Sequence, residues 1–338
     1  MIAIELREAL IPLIESQIPT FIWGSPGVGK SSLVSQIAQE KDMKFIDLRL
    51  SLLDPTDLRG IPFFHHDKKS DEKKAVWAKP EFLPNQDSQE YGILFLDEIN
   101  SAPPTIQAAA YQLILDRKIG EYTLPNNYSI IAAGNYENDR GVTYRMPTPL
   151  ANRFVHLNFD IDFDSWKLWA FKADIDKRII SYLSYKPSDL FMFDPKNSSK
   201  SFATPRSWKF VDDILKSKLD AKLHENVIGG AIGKETAQEF LNYCKVMESL
   251  PNIEDIIIGN SVDIPTKNSV LYAMCIGIVY ALKENYSTQN LTNVLNFSLK
   301  LDGEFTIMLV RDIQKNNIDV ENSPAWKTWV DQHRFLVN

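Results

Sequence analysis

Cysteine is nearly missing from this chain: its 338 residues include two, Cys244 and Cys275. Two thiols cannot make a disulfide framework. Both stand among apolar neighbours, which predicts buried structural thiols and fits a reducing compartment. Long apolar runs are scarce too. The longest, 270–282, falls well short of the roughly 18–20 residues a membrane span needs, and it reads as a buried helix. The start, Met1-Ile2-Ala3-Ile4-Glu5, lacks the basic residues and apolar run of a signal peptide, so no membrane and a cytoplasmic location are expected. Positive charge is not in excess: 37 Lys and Arg against 44 Asp and Glu give a net charge of −7. That balance leaves no overall basic footprint for nucleic acid, although it does not veto a local basic groove. The five histidines show no metal-ligand spacing, which sets zinc aside.

With 44% apolar and 24% charged residues the composition is that of a globular protein, and the length accommodates two domains. The first half alternates short β-like runs (20–23, 45–48, 93–96, 129–133 and 154–157) with helical ones (30–40 and 104–115). Alternation of this kind predicts an α/β fold, a central parallel sheet flanked by crossover helices. After about residue 160 helical spacing takes over at 166–170, 175–185, 205–215, 235–249, 268–283 and 291–300, with a polar loop at 194–201. The expected organisation is an α/β domain over 1–160 and an α-helical domain with a C-terminal helical extension over 161–338. The aromatic Trp166-Lys167-Leu168-Trp169 reads as core packing of a helix rather than a base-stacking platform. A polar segment at about 61–90, containing His65-His66-Asp67-Lys68-Lys69-Ser70-Asp71-Glu72-Lys73-Lys74, interrupts the first half. It is either a solvated hairpin or loop, or a contact surface.

The chemistry begins where the first strand ends. Gly24-Ser25-Pro26-Gly27-Val28-Gly29-Lys30-Ser31-Ser32 follows an apolar strand and opens an amphipathic helix, the context a P-loop requires. Its glycines let backbone N–H groups curl around phosphate oxygens at a helix N-terminus. Lys30 is placed to reach the β- and γ-phosphates, and the Ser31 hydroxyl to bind Mg²⁺. Next, Ile93-Leu94-Phe95-Leu96-Asp97-Glu98 describes a buried strand delivering two carboxylates to the edge where open α/β sheets bind ligands. Asp97 fits the group that holds Mg²⁺, and Glu98 the base that polarises an attacking water. Such a pair is commonly a solvated turn, but its position after a phosphate loop favours the functional reading.

Three polar residues complete the series. Asn135 ends another buried strand, Ile130-Ile131-Ala132-Ala133-Gly134, and is a candidate to contact the γ-phosphate or the lytic water. Arg153, in Pro149-Leu150-Ala151-Asn152-Arg153-Phe154, precedes the last strand and is a candidate to reach a neighbouring subunit's nucleotide, against a surface salt bridge as the plain alternative. Arg145 and Arg140 are further candidates. Arg206 follows Thr204 and Pro205, a cap and first-turn proline that mark a helix start, and it can either touch the γ-phosphate or stand exposed.

These pieces in this order resemble the AAA+ superfamily, and within it the MoxR-like group. Leu52-Leu53-Asp54-Pro55-Thr56-Asp57-Leu58-Arg59-Gly60 is similar to the segment those proteins carry before an insert. Asp97-Glu98-Ile99-Asn100-Ser101-Ala102-Pro103-Pro104 is similar to their Walker B tail, and Leu115-Asp116-Arg117-Lys118-Ile119-Gly120-Glu121-Tyr122 to their hairpin before sensor 1. Leu150 to Phe154 resembles their arginine-finger stretch and Ala203-Thr204-Pro205-Arg206 their sensor 2. Asn152 stands where many relatives carry an acid, and Thr204 where serine is common. The resemblance covers about 15–215. It implies an AAA+ core followed by a smaller all-α lid, with ATP and Mg²⁺ as cofactors. It also implies a homo-oligomeric ring, usually a hexamer, that couples hydrolysis to remodelling of a client or adaptor protein. Such partners include proteins with a von Willebrand A domain; this chain has no Asp-x-Ser-x-Ser motif of its own.

Two other readings compete: a nucleic-acid-processing motor, disfavoured by the acidic charge, and a scaffold whose nucleotide only holds the ring together. Absence of an Asn-Lys-x-Asp signature argues against a Ras-like GTPase, while the P-loop itself does not fix the base.

Overall fold

The computed structural model describes residues 1–67, 72–139, 144–196, 199–248 and 250–333, with the side chains of 63–67 and 72–76 outside that description. Arg140, residues 68–71 of the charged run, 197–198 of the polar loop and Ser249 lie outside the described residues. The chain divides into two compact units, one built on Met1–Asp162 and the other on Phe163–Phe193 and the residues from Ser199 on.

In the first unit, helix α1 (Ala3–Glu15) precedes strand β1 (Thr20–Trp23), helix α2 (Lys30–Glu40) and strand β2 (Lys44–Arg49). A short helix α3 (Pro55–Arg59) leads into an antiparallel hairpin, β3 (Ile61–Asp67) and β4 (Glu72–Ala78), within the polar insert. Strand β5 (Gly92–Asp97) and helix α4 (Pro104–Asp116) follow. A small hairpin comes next, β6 (Lys118–Ile119) with β7 (Tyr122–Thr123), then strand β8 (Tyr128–Gly134), helix α5 (Thr148–Ala151) and strand β9 (Val155–Asn158).

The main sheet has the order β2-β5-β8-β1-β9 and every pairing in it is parallel. Strands β5 and β8 are continuous apolar runs because helices cover both of their faces. Phe21, Leu94, Leu96, Ile130 and Ala132 point to the face occupied by α4, packing with Ile106, Ala110, Leu113 and Leu150. Edge strand β9 is largely exposed and correspondingly more polar. Parallel register puts the ends of β1, β5 and β8 along one edge of the sheet, with Trp23 beside Gly134 and Leu96 beside Ala132. That edge carries the candidate residues. Helix α1 is the element periodicity passes over: Pro12 interrupts its pattern, yet Leu6, Leu10 and Ile14 are buried at helical spacing.

The second unit contains α6 (Phe163–Lys172), α7 (Lys177–Tyr185), α8 (Pro205–Lys216), α9 (His224–Ile232) and α10 (Lys234–Met247). Helices α11 (Ile253–Ile258), α12 (Asn268–Glu284), α13 (Thr288–Ser298), α14 (Gly303–Lys315) and α15 (Ala325–His333) follow, with no strand among the described residues. Thr204 caps α8, accepting from Ser207 N, with Pro205 in its first turn. Tyr182, Trp208 and Phe240 form an aromatic core with ring centroids 5.4–5.7 Å apart. Burying each such ring stabilises by about 1.5–3 kcal/mol. The apolar run 270–282 lies within α12 and is largely buried. Among the described residues no helix is long and apolar enough to cross a membrane.

One expectation changes. Cys275 is buried but Cys244 only partly so, although burial pushes both thiols up to about 12. The Trp166–Trp169 stretch packs as helix core, with Trp166 buried and Lys167 buried beside it, its ammonium 2.6 Å from Asp312 Oδ2. A lysine at a core position is stable only with such a partner.

Candidate functional site at the carboxyl edge of the sheet

The loop from Gly24 to Gly29 turns sharply between β1 and α2. Gly27 (φ 80°) and Gly29 (φ 101°) occupy left-handed backbone that side-chain-bearing residues avoid, and Gly29 caps the helix. A side chain at Gly24 would press on Phe159 O at 3.1 Å, and Gly24 N reaches Gly134 O at 3.3 Å. The loop is thereby fixed to the end of β8. Its backbone faces the N-terminus of an 11-residue helix, the geometry of an anion cradle. Ser31 is half-buried and Ser32 exposed in the first turn of that helix.

Lys30 is 9% exposed. Its ammonium donates to Gly24 O at 2.6 Å, Ser25 O at 3.1 Å and Asn135 Oδ1 at 3.0 Å. An ammonium can only donate, so the amide atom facing it must be the oxygen of Asn135, and the amide nitrogen is directed elsewhere.

Asp97 ends β5, its Oδ1 accepting from Glu98 N at 2.9 Å. Burial raises the Asp97 carboxyl above its ordinary range, the Lys30 ammonium pulls it back, and Asp47 adds to the rise. Asp47, on β2, is itself raised by burial, with Arg49 opposing and Glu98 adding. Glu98 has left-handed backbone (φ 56°, ψ 33°), a conformation that costs a non-glycine residue roughly 1–3 kcal/mol. The turn is held by Ser101 N and Ala102 N, which both donate to Glu98 O. Ser51 Oγ donates to Glu98 Oε2 at 2.5 Å.

Lys30, Asp97, Glu98 and Asn135 therefore converge on one edge of the sheet. Arg153 does not join them. Val155 pairs with Thr20, at the opposite end of β1 from the loop, so Arg153 is separated from it by at least about 13 Å of strand rise. Arg153 and Arg145 are both exposed. Arg206 is exposed in the first turn of α8, in the second unit. Asp47, Ser51 and Asn100 escaped sequence reasoning. Asp47 and Ser51 carry no motif, and Asn100 was visible only as one letter of the tail after Glu98.

The donor set suits a hard cation: a hydroxyl on Ser31 and a carboxylate on Asp97, both oxygen ligands. Among the described residues no group of three or more His, Cys, Asp or Glu side chains could hold a metal alone. Mg²⁺ sites shared with substrate phosphates need only one or two protein carboxylates.

Residues 20–156 match the profile of the family described as "ATPase family associated with various cellular activities (AAA)". Over 178 residues the chain is 28% identical to midasin of Giardia intestinalis, a match covering 49% of this chain and 4% of that protein. Among solved structures, NtrX from Brucella abortus in complex with ADP is 15% identical over 93% of this chain and 68% of its own, with a TM-score of 0.41. The RuvB Holliday junction branch migration motor of Thermotoga maritima is 18% identical over 81% of each chain, with a TM-score of 0.37. Residues 20–156 are thus similar to the ATPase domains of the AAA family.

Proposed function

We propose that the chain binds ATP with Mg²⁺ and hydrolyses it as one subunit of a ring, in the manner of the MoxR-like group, to remodel a partner protein. The observation that carries this reading is the division of labour across the sheet. Lys30, Asp97, Glu98 and Asn135 share the carboxyl edge, while Arg153 stands exposed at the amino edge. An arginine so placed is out of reach of its own nucleotide but free to serve a neighbour's.

In this mechanism the Gly24–Gly29 backbone holds phosphate oxygens and Lys30 neutralises their charge. Ser31 and Asp97 would hold Mg²⁺, which when bound shields negative charge on the phosphates. Glu98 orients and polarises the attacking water. Asn135 directs its amide nitrogen at the γ-phosphate or that water, since its oxygen is committed to Lys30. Arg153 stabilises developing charge in trans, an effect worth roughly 10³–10⁵ in rate for arginine fingers. Arg206 reports nucleotide state to the helical unit. The β3–β4 and β6–β7 hairpins are the surfaces we assign to partner contact.

Steady-state ATPase activity against protein concentration, for wild type and Arg153→Ala with oligomer mass recorded in parallel, tests the proposal. Activity should rise with assembly and collapse in the variant. Activity independent of both concentration and Arg153 would mean a self-contained nucleotide switch. Glu98→Gln should retain ATP binding and lose turnover.

A further inference from the structure

We propose that Asn100 is a positioning residue for hydrolysis, setting the orientation of Asn135; this rests on the reading of Asn135 as the γ-phosphate or water contact. Asn100 lies in the single turn Ile99–Ser101 immediately after Glu98 and is 1% exposed. Its Nδ2 donates to the backbone oxygen of Asn135 at 2.7 Å. Its own backbone oxygen accepts from Tyr144 N at 2.6 Å. One buried residue thus joins the turn bearing Asp97 and Glu98, the end of β8 bearing Asn135, and the segment that leads to α5 and Arg153.

The other end of the side chain shows that stability alone does not account for it. Asn100 Oδ1 is buried and has no hydrogen-bond partner among the described residues. A buried amide with half its capacity unmet calls for a reason beyond packing. The amide cannot be flipped to relieve this, because Oδ1 would then face the carbonyl of Asn135, acceptor against acceptor. Gly134 is part of the same fit: a Cβ there would lie 2.3 Å from Asn100 Oδ1, so the amide lies against bare backbone. With its carbonyl pinned by Asn100 and its Oδ1 held by Lys30, Asn135 has both its main chain and its side chain fixed. Preorganised donors aimed at developing charge affect turnover rather than ground-state binding.

The test uses the full chain with Asn100→Ala and the shape-preserving Asn100→Asp, which turns the donor into an acceptor against Asn135 O. Affinity for a non-hydrolysable ATP analogue, kcat, KM and melting temperature are measured for these variants, for Asn135→Ala and for Asn100→Ala combined with Asn135→Ala. The expected result is a kcat reduced about 10- to 100-fold in both Asn100 variants, analogue affinity within about threefold of wild type, and a double variant no slower than Asn135→Ala alone. Multiplicative losses in the double variant would overturn the proposal, since Asn100 would not then act through Asn135. A collapse of melting temperature with affinity lost in step would also overturn it, leaving Asn100 a purely structural residue. If Asn135→Ala itself turns over at the wild-type rate, the reading of Asn135 is what fails.

Discussion

Trp23 donates its indole N–H to Nδ1 of His156 at 2.9 Å. An indole nitrogen only donates, so Nδ1 must be the acceptor and the imidazole proton sits on Nε2. That nitrogen lies 2.8 Å from the carbonyl oxygen of Ala151, the last residue of α5 and two positions before Arg153. Trp23 is the residue directly before Gly24. The two rings also stack, with centroids 6.0 Å apart and planes inclined by 24°. A single imidazole thus ties the strand feeding the phosphate loop to the turn that presents Arg153.

His156→Ala is therefore expected to loosen the Arg153 turn while leaving Lys30 and its acceptors in place. ATPase activity at assembling concentrations should fall about 3- to 10-fold, the cost of roughly one lost neutral hydrogen bond, with nucleotide affinity unchanged. Titrating wild-type and variant protein in parallel checks this. Equal loss of affinity and turnover would show that His156 supports the phosphate loop instead.

The sheet was legible because its strands are apolar runs ended by chemistry. Thr20–Trp23 ends at glycine, Gly92–Asp97 at two acids and Tyr128–Gly134 at an amide, and each of these punctuation marks is a site residue. What escaped were contacts made by small polar side chains in turns. Ser51 meets Glu98 across a separation of 47 residues, and Asn100 meets Asn135 across 35. Neither distance leaves a period or spacing in the chain. The partner of Lys167 left no trace for the same reason: Asp312 is 145 residues away.

The carbonyl nest around Lys30 predicts opposite outcomes for two substitutions at one position. Asn135→Ala removes one of the Lys30 acceptors and should leave ATP affinity within about threefold, while kcat drops roughly 10²- to 10³-fold as for loss of a single transition-state donor. Asn135→Asp instead sets a carboxylate against Lys30, neutralising it and repelling phosphate. Affinity should then fall at least about tenfold. Equilibrium binding of a labelled ATP analogue to both variants distinguishes the cases; equal affinities would mean that Asn135 does not face the phosphates.

Acid should destabilise the helical unit through two carboxylates. Asp212 is fully buried and bonded by Lys209 at 2.8 Å and Lys216 at 2.9 Å, and it accepts from Asp176 N at 2.8 Å. Asp176 is held by the Arg178 guanidinium. Burial pushes both carboxyls up, but their hydrogen bonds win, and both lie below the ordinary value of 3.8. Stability from a depressed carboxylate is present above its unfolded value and lost as pH falls through the folded one. Melting temperature should hold from neutral pH to about 5 and drop below about 4. Asp212→Asn should cost about 1–3 kcal/mol at neutral pH and flatten the acid limb; an unchanged limb would assign the acid sensitivity elsewhere.

Lys167 and Asp312 form the most deeply buried ion pair among the described residues, with side chains 4% and 3% exposed. The Lys167 ammonium also lies 5.9 Å and 6.0 Å from the Phe163 and Phe171 ring centroids. Burial raises the Asp312 carboxyl above its ordinary range, with Lys167 opposing, so the pair is stable through mutual neutralisation rather than through solvation. Lys167→Met removes the cation and strands the carboxylate, at a cost of about 3–5 kcal/mol near neutral pH. Because Asp312 can then escape only by taking a proton, the variant should recover stability as pH falls toward 5, the reverse of the acid limb set by Asp176 and Asp212. Replacing both partners, Lys167→Met with Asp312→Leu, removes the stranded charge. It should bring stability to within about 1 kcal/mol of wild type or above it. Chemical denaturation of the single and double variants at pH 5 and 7.5 decides the matter. A double variant as unstable as the single one would mean that α6 and α14 need this ion pair for their packing geometry and not merely for charge balance.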